Sequence, residues 1–276
     1  MSYQTILVRL DGRTRGAETL KIACRMARDF DAHLAAVFAS QLPLLAASAV
    51  DPAAVAVLDY QAEAELTLQN QARAQVTAAE AASGLAIEWR MVTFNINNNV
   101  ALHARHADLL IMNQEDPDLV WGIGPSIPAS VIMGAGRPVL LLPYIGTFDT
   151  CGDSVLIAWN ASRESARAIA DALPFLTRAR EVNVVSFNPG NDSDWGEIPG
   201  ADIGLWLARH GVRATVHERR SGDVDVGNQM LSLATDLGSD LIVMGAYGHS
   251  RAYEMVLGGM TRTILRSMTI PVLMSH

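Results

Sequence analysis

The sequence predicts an α/β protein made of two tandem, doubly wound parallel-sheet domains. Three observations support this prediction. Short apolar runs rich in β-branched residues alternate with segments of helical periodicity. The whole pattern starts again halfway along the chain, and a glycine-rich segment, residues 245–261, joins a strand to a helix. Strands that alternate with helices imply parallel sheets that are covered on both faces, with right-handed crossovers.

The first half is expected to contain five strands and four helices. The first strand ends at the turn signal Asp11-Gly12. The long segment 51–83 is rich in Ala, Gln, Glu and Leu, with no Gly or Pro after Pro52, which favours a helix. The strands are predicted at 5–10, 32–39, 85–92, 108–113 and 138–143, and the helices at about 14–27, 51–83, 97–106 and 127–133.

The second half repeats this order. Ser162 is the predicted N-cap of its first helix, whose apolar stripe is expected to be Ala166, Ile169, Ala170 and Leu173. Residues 108–112 can be laid over 240–244, and residues 137–140 over 270–273. The chain is therefore interpreted as a duplication, with domains at 1–143 and 153–276 and a short linker between them.

The glycine-rich segment is the strongest candidate for a functional site. A phosphate needs backbone N–H groups that it can approach without a Cβ in the way, and a helix N-terminus supplies such groups with a favourable dipole. Gly245, Gly248, Gly258 and Gly259 would give this access, and Thr261 adds a hydroxyl. The alternative is that these glycines only permit tight turns around a helix.

The spacing of these glycines resembles that of the universal stress protein family. Its nucleotide-binding members carry glycine, two residues, glycine, nine residues, glycine and then Ser or Thr, and Gly245, Gly248 and Gly258 fall at those spacings. Gly259 stands where the family has a hydroxyl residue. The resemblance covers the whole chain as a tandem and implies two Rossmann-like domains of five strands in the order 3-2-1-4-5. In such a sheet the strand order reverses between strands one and four, which is where ligands bind.

The resemblance also implies a set of nucleotide contacts. In nucleotide-binding members, an Asp after strand one contacts the nucleoside, and here that position is Asn160, which can still hydrogen-bond to a base or ribose. Phe187, at the end of strand two, would give the base an apolar wall, although a core aromatic is an equal alternative. The full expected set is Asn160, Phe187, Gly245, Gly248, His249, Arg251, Gly258, Gly259, Met260 and Thr261, with His249 and Arg251 beside the phosphates.

The first half is expected to have lost this site. It keeps Asp11 after its first strand, but residues 113–118 replace the glycine pattern, and Glu115, Asp116 and Asp118 would repel a triphosphate. This half is interpreted as a structural partner or a site for a different ligand. A solvated acidic loop is a simpler interpretation of the carboxylates than a metal site.

Composition excludes several other classes of function. A formal charge of −8 argues against nucleic acid and anionic membranes as partners. No apolar run reaches the length of a membrane span, and two distant cysteines fit a reducing compartment, so we expect a cytoplasmic protein. We find no catalytic triad, P-loop lysine or metal-ligand spacing, and therefore expect neither a catalytic nor a metal site.

The sequence thus predicts a stress-response protein that binds an adenine nucleotide, ATP or else ADP or AMP, possibly with Mg²⁺, and that acts through unknown protein partners. The alternatives are a nucleotide-independent interaction scaffold and a slow ATPase that uses His249 or Glu254. By analogy with the family, the fifth strands at 139–142 and 272–274 are expected to pair inside the chain. This pairing would make the chain a pseudo-dimer, and a homodimer is left open.

Overall fold

The computed structural model describes residues 2–39, 52–92, 96–115, 126–187, 201–220, 222, 225–248 and 259–276. Its internal contacts divide the chain into two compact units, residues 3–112 and residues 113–276, the latter together with residues 1–2. The predicted domain limits, 1–143 and 153–276, follow the sequence repeat and remain a prediction. The division by contacts differs from the predicted one because the last helix and strand of the first repeat are grouped with the second repeat.

The first unit is a parallel sheet built from four strands and the helices between them. Strand β1 pairs with β2 and with β4, β2 pairs with β3, and all three pairs are parallel, so the order is β3-β2-β1-β4. The elements are β1 Thr5–Leu10, α1 Gly16–Phe30, β2 His33–Ala39, α2 Pro52–Ser83, β3 Ile87–Val92, α3 Ile96–Ala104 and β4 Leu109–Asn113.

The second unit contains six strands in the order β5-β10-β9-β6-β7-β8. Strands β6 to β10 are parallel to their neighbours, which confirms the predicted 3-2-1-4-5 order for the second half, and β5 is antiparallel to β10. The predicted pairing of the two fifth strands is therefore present. The elements are α4 Ile127–Ala135, β5 Val139–Leu142, β6 Ser154–Ala158, α5 Arg163–Leu176, β7 Glu181–Phe187, α6 Ala201–Arg209, β8 Thr215–Arg219, α7 Val226–Asp236, β9 Leu241–Gly245, α8 Met260–Ser267 and β10 Val272–Ser275.

Repeated aspartates hold the amino ends of the central strands together. The Asp240 carboxylate accepts hydrogen bonds from the backbone N–H groups of Gly152, Asp153 and Ser154 at 3.0, 3.2 and 3.0 Å. In the first unit Asp108 accepts from the N–H groups of Gln4 and Thr5 in the same way. Asp108 and Asp240 are the first residues of two segments that align between the repeats. Their hydrogen bonds to the amino ends of neighbouring strands therefore explain part of the sequence repeat.

The buried face of α5 differs from the predicted stripe. Ile169 and Leu173 are buried as expected, but Ala166 and Ala170 are exposed, and Glu164, Ser165, Ala168 and Ala172 are buried in their place. Alanines fit either face of a helix. The apolar period alone therefore placed the buried face of α5 one residue away from its observed position. This rotation brings the first turn of α5 against the end of β9, where the candidate site lies.

Candidate functional site

The candidate site lies at the carboxyl edge of the second sheet, where the strand order reverses. Strand β6 has β9 on one side and β7 on the other, with Ile157 opposite both Val243 and Val184. The segments that follow these strands therefore leave the sheet at the same edge. In parallel α/β sheets this is the position at which ligands bind.

Asn160 lies two residues beyond β6, in an exposed turn. Its side-chain oxygen accepts hydrogen bonds from the Ser162 hydroxyl at 2.7 Å and from the Ser162 N–H at 3.2 Å. The Ser162 hydroxyl oxygen in turn accepts from the Ser165 N–H, which confirms the predicted N-cap of α5. Within the described residues the Asn160 amide nitrogen has no hydrogen-bond partner, so the residue can donate to a ligand.

Phe187 is the last residue of β7 and is half-buried. It lies opposite Arg219 of β8, on the side of the sheet edge away from β9. The position is compatible with either expected role, a wall for a base or part of the core, so its contact with a nucleotide stays a prediction.

Gly245 and Gly248 lie in close contact with the first turn of α5. A Cβ on Gly245 would be 2.5 Å from both the Glu164 carbonyl carbon and the Ser165 nitrogen. A Cβ on Gly248 would be 2.9 Å from Glu164 Oε2. The packing alone therefore requires glycine at position 245, whether or not a phosphate binds there.

Glu164 is a functional candidate that the sequence reasoning missed. Its side chain is only 3% exposed, and its Oε1 accepts a hydrogen bond from Arg163 Nε at 2.5 Å. Burial raises the pKa of Glu164, but the Arg163 hydrogen bond, its own backbone N–H and the charges of Arg163 and His276 outweigh burial and leave the pKa below its ordinary value. The carboxylate is therefore ionised at neutral pH. A charged residue in a first helical turn usually lies in solvent, and the sequence carries no signal that this one is buried.

Among the described residues, no side chain caps the N-terminus of α8. Gly259 is the N-cap residue and offers no side-chain oxygen, so the first backbone N–H groups of α8 receive no capping hydrogen bond from it. Met260 is half-buried at the start of the helix. Thr261 is only 5% exposed, and its hydroxyl oxygen accepts from the Tyr247 N–H at 3.4 Å. The Thr261 hydroxyl thus supports the loop that follows β9.

The corresponding helix of the first repeat, α4, is capped by the protein itself. The Ser126 hydroxyl accepts from the Ala129 N–H at 3.2 Å, and Glu115 Oε1 accepts from the Ile127 N–H at 2.6 Å. Glu115 was expected in a solvated acidic loop, but it is half-buried and binds the helix N-terminus. A carboxylate of the chain thus occupies the position at which an external anion would bind.

In the first repeat, helix α2 packs against the turn after β1. Asp11 accepts a hydrogen bond from the Arg13 N–H, and Gly12 has a φ of 78°. A Cβ on Gly12 would lie 2.0 Å from the Leu68 carbonyl oxygen, so α2 packs directly on this turn.

Several predicted site residues lie outside the described residues. They are His249, Arg251 and Gly258 of the glycine segment, Glu254 of the ATPase alternative, and Asp116 and Asp118 of the first repeat. Their roles stay predictions. Among the residues that are described, no three His, Cys, Asp or Glu side chains are grouped so that they could hold a metal ion, and no helix is both long and apolar enough to cross a membrane.

Comparison with known proteins supports the family resemblance. Residues 153–276 match the model of the Universal stress protein family. The chain is similar in fold to a universal stress protein from Archaeoglobus fulgidus DSM 4304, with a TM-score of 0.72 and 15% identity, over 98% of this chain and 95% of that one. A functionally unknown protein from Pseudomonas aeruginosa PAO1 matches with a TM-score of 0.60 and 14% identity, over 99% of this chain and 92% of that one. No curated protein matches the sequence.

The resemblance seen in the glycine spacing is thus confirmed, and it is strongest where that glycine segment lies. The second half of the chain matches the Universal stress protein family in sequence, and the whole chain has the fold of a universal stress protein of similar length.

Proposed function

We propose that the second half binds an adenine nucleotide, ATP or else ADP or AMP, at the carboxyl edge between β6 and β9. The observation that carries this proposal is the difference between the two repeats at equivalent helices. The N-terminus of α4 is occupied by Ser126 and Glu115, whereas Gly259 leaves that of α8 without a side-chain cap.

A helix N-terminus whose N-cap residue is a glycine, next to a strand-order reversal, suits a phosphate group. The first N–H groups of a helix point along its axis beyond the N-terminal end and have no intrahelical acceptors. The helix dipole favours negative charge at this end. The same groups in α4 already bind a carboxylate of the chain. The second repeat is therefore the better candidate for an external anion.

The remaining contacts in the proposal come from the sequence. Asn160 would hydrogen-bond to the nucleoside, Phe187 would contact the base, and Gly248, His249, Arg251 and Gly258 would surround the phosphates. As part of the same proposal, the protein is cytoplasmic and its nucleotide occupancy alters binding to protein partners in a stress response.

Replacing Met260 with proline tests the role of the α8 N-terminus. Met260 is the first residue of the helix, a position at which proline is well tolerated because it removes only an N–H that has no intrahelical acceptor. We expect Met260→Pro to fold normally and to weaken ATP binding about tenfold or more, since one phosphate donor is lost. Met260→Leu keeps the N–H with a side chain of similar size and should bind ATP like the parent.

Calorimetric titration with ATP, ADP and AMP in the presence of Mg²⁺ provides the measurement. Binding of one nucleotide per chain that weakens in Met260→Pro but not in Met260→Leu supports the proposal. Equal affinities in all three proteins would place the phosphates elsewhere, and the absence of binding in the parent protein would exclude nucleotide binding.

A nucleotide-independent interaction scaffold is the second candidate. It is favoured by the packing of Gly245 on the backbone of α5, which accounts for one glycine of the motif without a ligand. This candidate predicts no heat on titration with any of the nucleotides. The slow ATPase predicts phosphate release from bound ATP, which a phosphate assay on the same samples would detect.

A further inference from the structure

A cavity of about 620 Å³ lies within the second unit, between the start of α4 and the helices α7 and α8. Pockets of this size commonly bind small molecules. The polar residues that line it, among those described, are Glu115, Ser126, Asn228, Thr263, Arg266 and Ser267. None of them belongs to the set expected to contact a nucleotide, so the cavity is a separate candidate site.

The walls of the cavity are held in place by contacts between its elements. Gln114, which follows β4 and is only 4% exposed, donates from Nε2 to the Leu265 carbonyl oxygen at 2.9 Å. A Cβ on Gly227 would lie 2.7 Å from Thr263 Cβ, so α7 and α8 are in close contact. Helix α8 is therefore fixed both against the end of β4 and against α7, and the cavity is formed before any ligand binds.

Much of the hydrogen-bonding capacity of this lining is unused. In the described part of the chain, no hydrogen bond or ion pair is formed by the side chains of Asn228, Thr263, Arg266 and Ser267. Glu115 Oε1 accepts from the Ile127 N–H, whereas no described group donates to Glu115 Oε2. A ligand can therefore bind these groups without displacing a contact within the protein.

The charges of the lining indicate which ligand fits. Arg266 and Glu115 are the charged residues among those described in the lining, so their formal charges cancel. The guanidinium of Arg266 can hold a carboxylate through two parallel hydrogen bonds. A phosphate dianion fits less well, because the Glu115 carboxylate in the same cavity would repel its second charge. A singly charged carboxylate is therefore the better match.

The neutral polar groups indicate what the rest of the ligand carries. A carboxylate only accepts hydrogen bonds, so the ligand group that faces Glu115 has to be a donor. The lining also contains three hydroxyls and one amide, which both donate and accept, and hydroxyl groups on a ligand match them in both directions. Pro128 and Leu265 provide an apolar surface for its carbon skeleton.

We propose that this cavity is a second ligand site, which binds a small monocarboxylate that carries several hydroxyl groups, the chemistry of a sugar acid. The ligand carboxylate pairs with Arg266, and its hydroxyls bond to Glu115, Thr263 and Ser267. This site goes beyond the proposed function and does not depend on nucleotide binding.

Calorimetric titration of the full chain with gluconate tests this inference. We expect one gluconate per chain in the parent protein and about tenfold or more weaker binding in Arg266→Gln, because charge-assisted hydrogen bonds are lost. Arg262→Gln removes the same charge from an exposed position of the same helix, outside the lining described above, and should bind gluconate like the parent. Glucose has the hydroxyls without the charge, hexanoate has the charge without the hydroxyls, and each should bind more weakly than gluconate.

Thr263→Val is the second variant, because it removes one hydroxyl while keeping the shape of the side chain. It should weaken gluconate binding about threefold, with circular dichroism melts as the check on folding. The absence of gluconate binding to the parent would overturn the inference, as would parent-like affinity in both Arg266→Gln and Thr263→Val. Hexanoate that binds as tightly as gluconate would exclude the hydroxyl contacts and overturn it too. Met260→Pro should bind gluconate like the parent, so a failure of nucleotide binding leaves this inference intact.

Discussion

At the scale of single residues, Gly245 shows how packing and ligand access can require the same amino acid. The residue ends β9 opposite Ser275, and the backbone of α5 passes so close that a Cβ would overlap it. A glycine at this position is needed for the fold even in a protein that binds nothing. The spacing of motif glycines therefore identifies the loop but does not by itself establish a phosphate site.

Substitution of Gly245 by alanine should destabilise the protein. The added Cβ would lie 2.5 Å from two backbone atoms of α5, which cannot rotate away as a side chain can. We expect the free energy of unfolding to fall by about 1 to 3 kcal/mol, as for other overpacked positions, measured by urea denaturation. Gly204→Ala is the control, because its Cβ would have no neighbour closer than Val216 Cγ2 at 3.6 Å and it lies within helix α6.

Gly204→Ala should raise stability by up to about 1 kcal/mol through helix propensity. Equal stability of Gly245→Ala and the parent would show that α5 and β9 can separate at little cost. That result would also weaken the packing explanation for the motif glycine.

At the scale of elements, the repeats differ most clearly in how their last helices begin. Ser126 and Glu115 cap α4, whereas Gly259 provides no side chain to α8. A serine cap and a carboxylate near the helix dipole each stabilise a helix by several tenths of a kcal/mol to about 1 kcal/mol. Gly259, the N-cap residue of α8, supplies neither of these contributions.

Removing the serine cap of α4 and adding one to α8 should change the free energy of unfolding in opposite directions. Ser126→Ala is expected to lower the free energy of unfolding by about 1 kcal/mol, because the Ala129 N–H loses its acceptor. Gly259→Ser should raise it by a few tenths of a kcal/mol, since glycine is itself a tolerable N-cap. Ser130→Ala, within α4, is the control and should cause no loss. Unchanged stability in Ser126→Ala would mean that the N-terminus of α4 is solvated without its serine.

Sequence reasoning predicted the elements better than their orientation. The order of strands and helices follows from the alternation of apolar runs and helical periods, and the resemblance to a known family supplied the strand order. The rotation of α5 was predicted wrongly, because Ala166 and Ala170 match the apolar period as well as the buried Ala168 and Ala172 do. The burial of Glu164 depends on the long-range approach of β9, which no local pattern encodes.

At the scale of the whole molecule, the pairing of β5 with β10 gives the last strand of each repeat a partner. Leu140 lies opposite Leu273, and all residues of both strands are buried. The pairing was anticipated from the apolar strands and the family analogy. It also explains why the compact units divide after residue 112 instead of at the end of the repeat.

A fragment that begins at residue 153 should therefore self-associate. Without β5, strand β10 would expose an unpaired edge with Val272, Leu273 and Met274, and such apolar edges promote pairing between chains. The full chain retains β5 opposite β10 and is the control, which should not gain this association. Size-exclusion chromatography with light scattering distinguishes the two, and a monomeric 153–276 fragment would show that β10 does not need a partner strand.

Because the Glu115 carboxylate binds the N-terminus of α4, the stabilities of the two repeats should respond differently to an added anion. The first repeat contains the anion for its last helix, so the N-terminus of α4 needs no anion from the solution. If the proposed nucleotide binds at α8, it supplies this anion from outside, and the free energy of unfolding should rise with the logarithm of the nucleotide concentration. Under the proposed function, the stability of the second repeat would depend on the nucleotide concentration, whereas that of the first repeat would not.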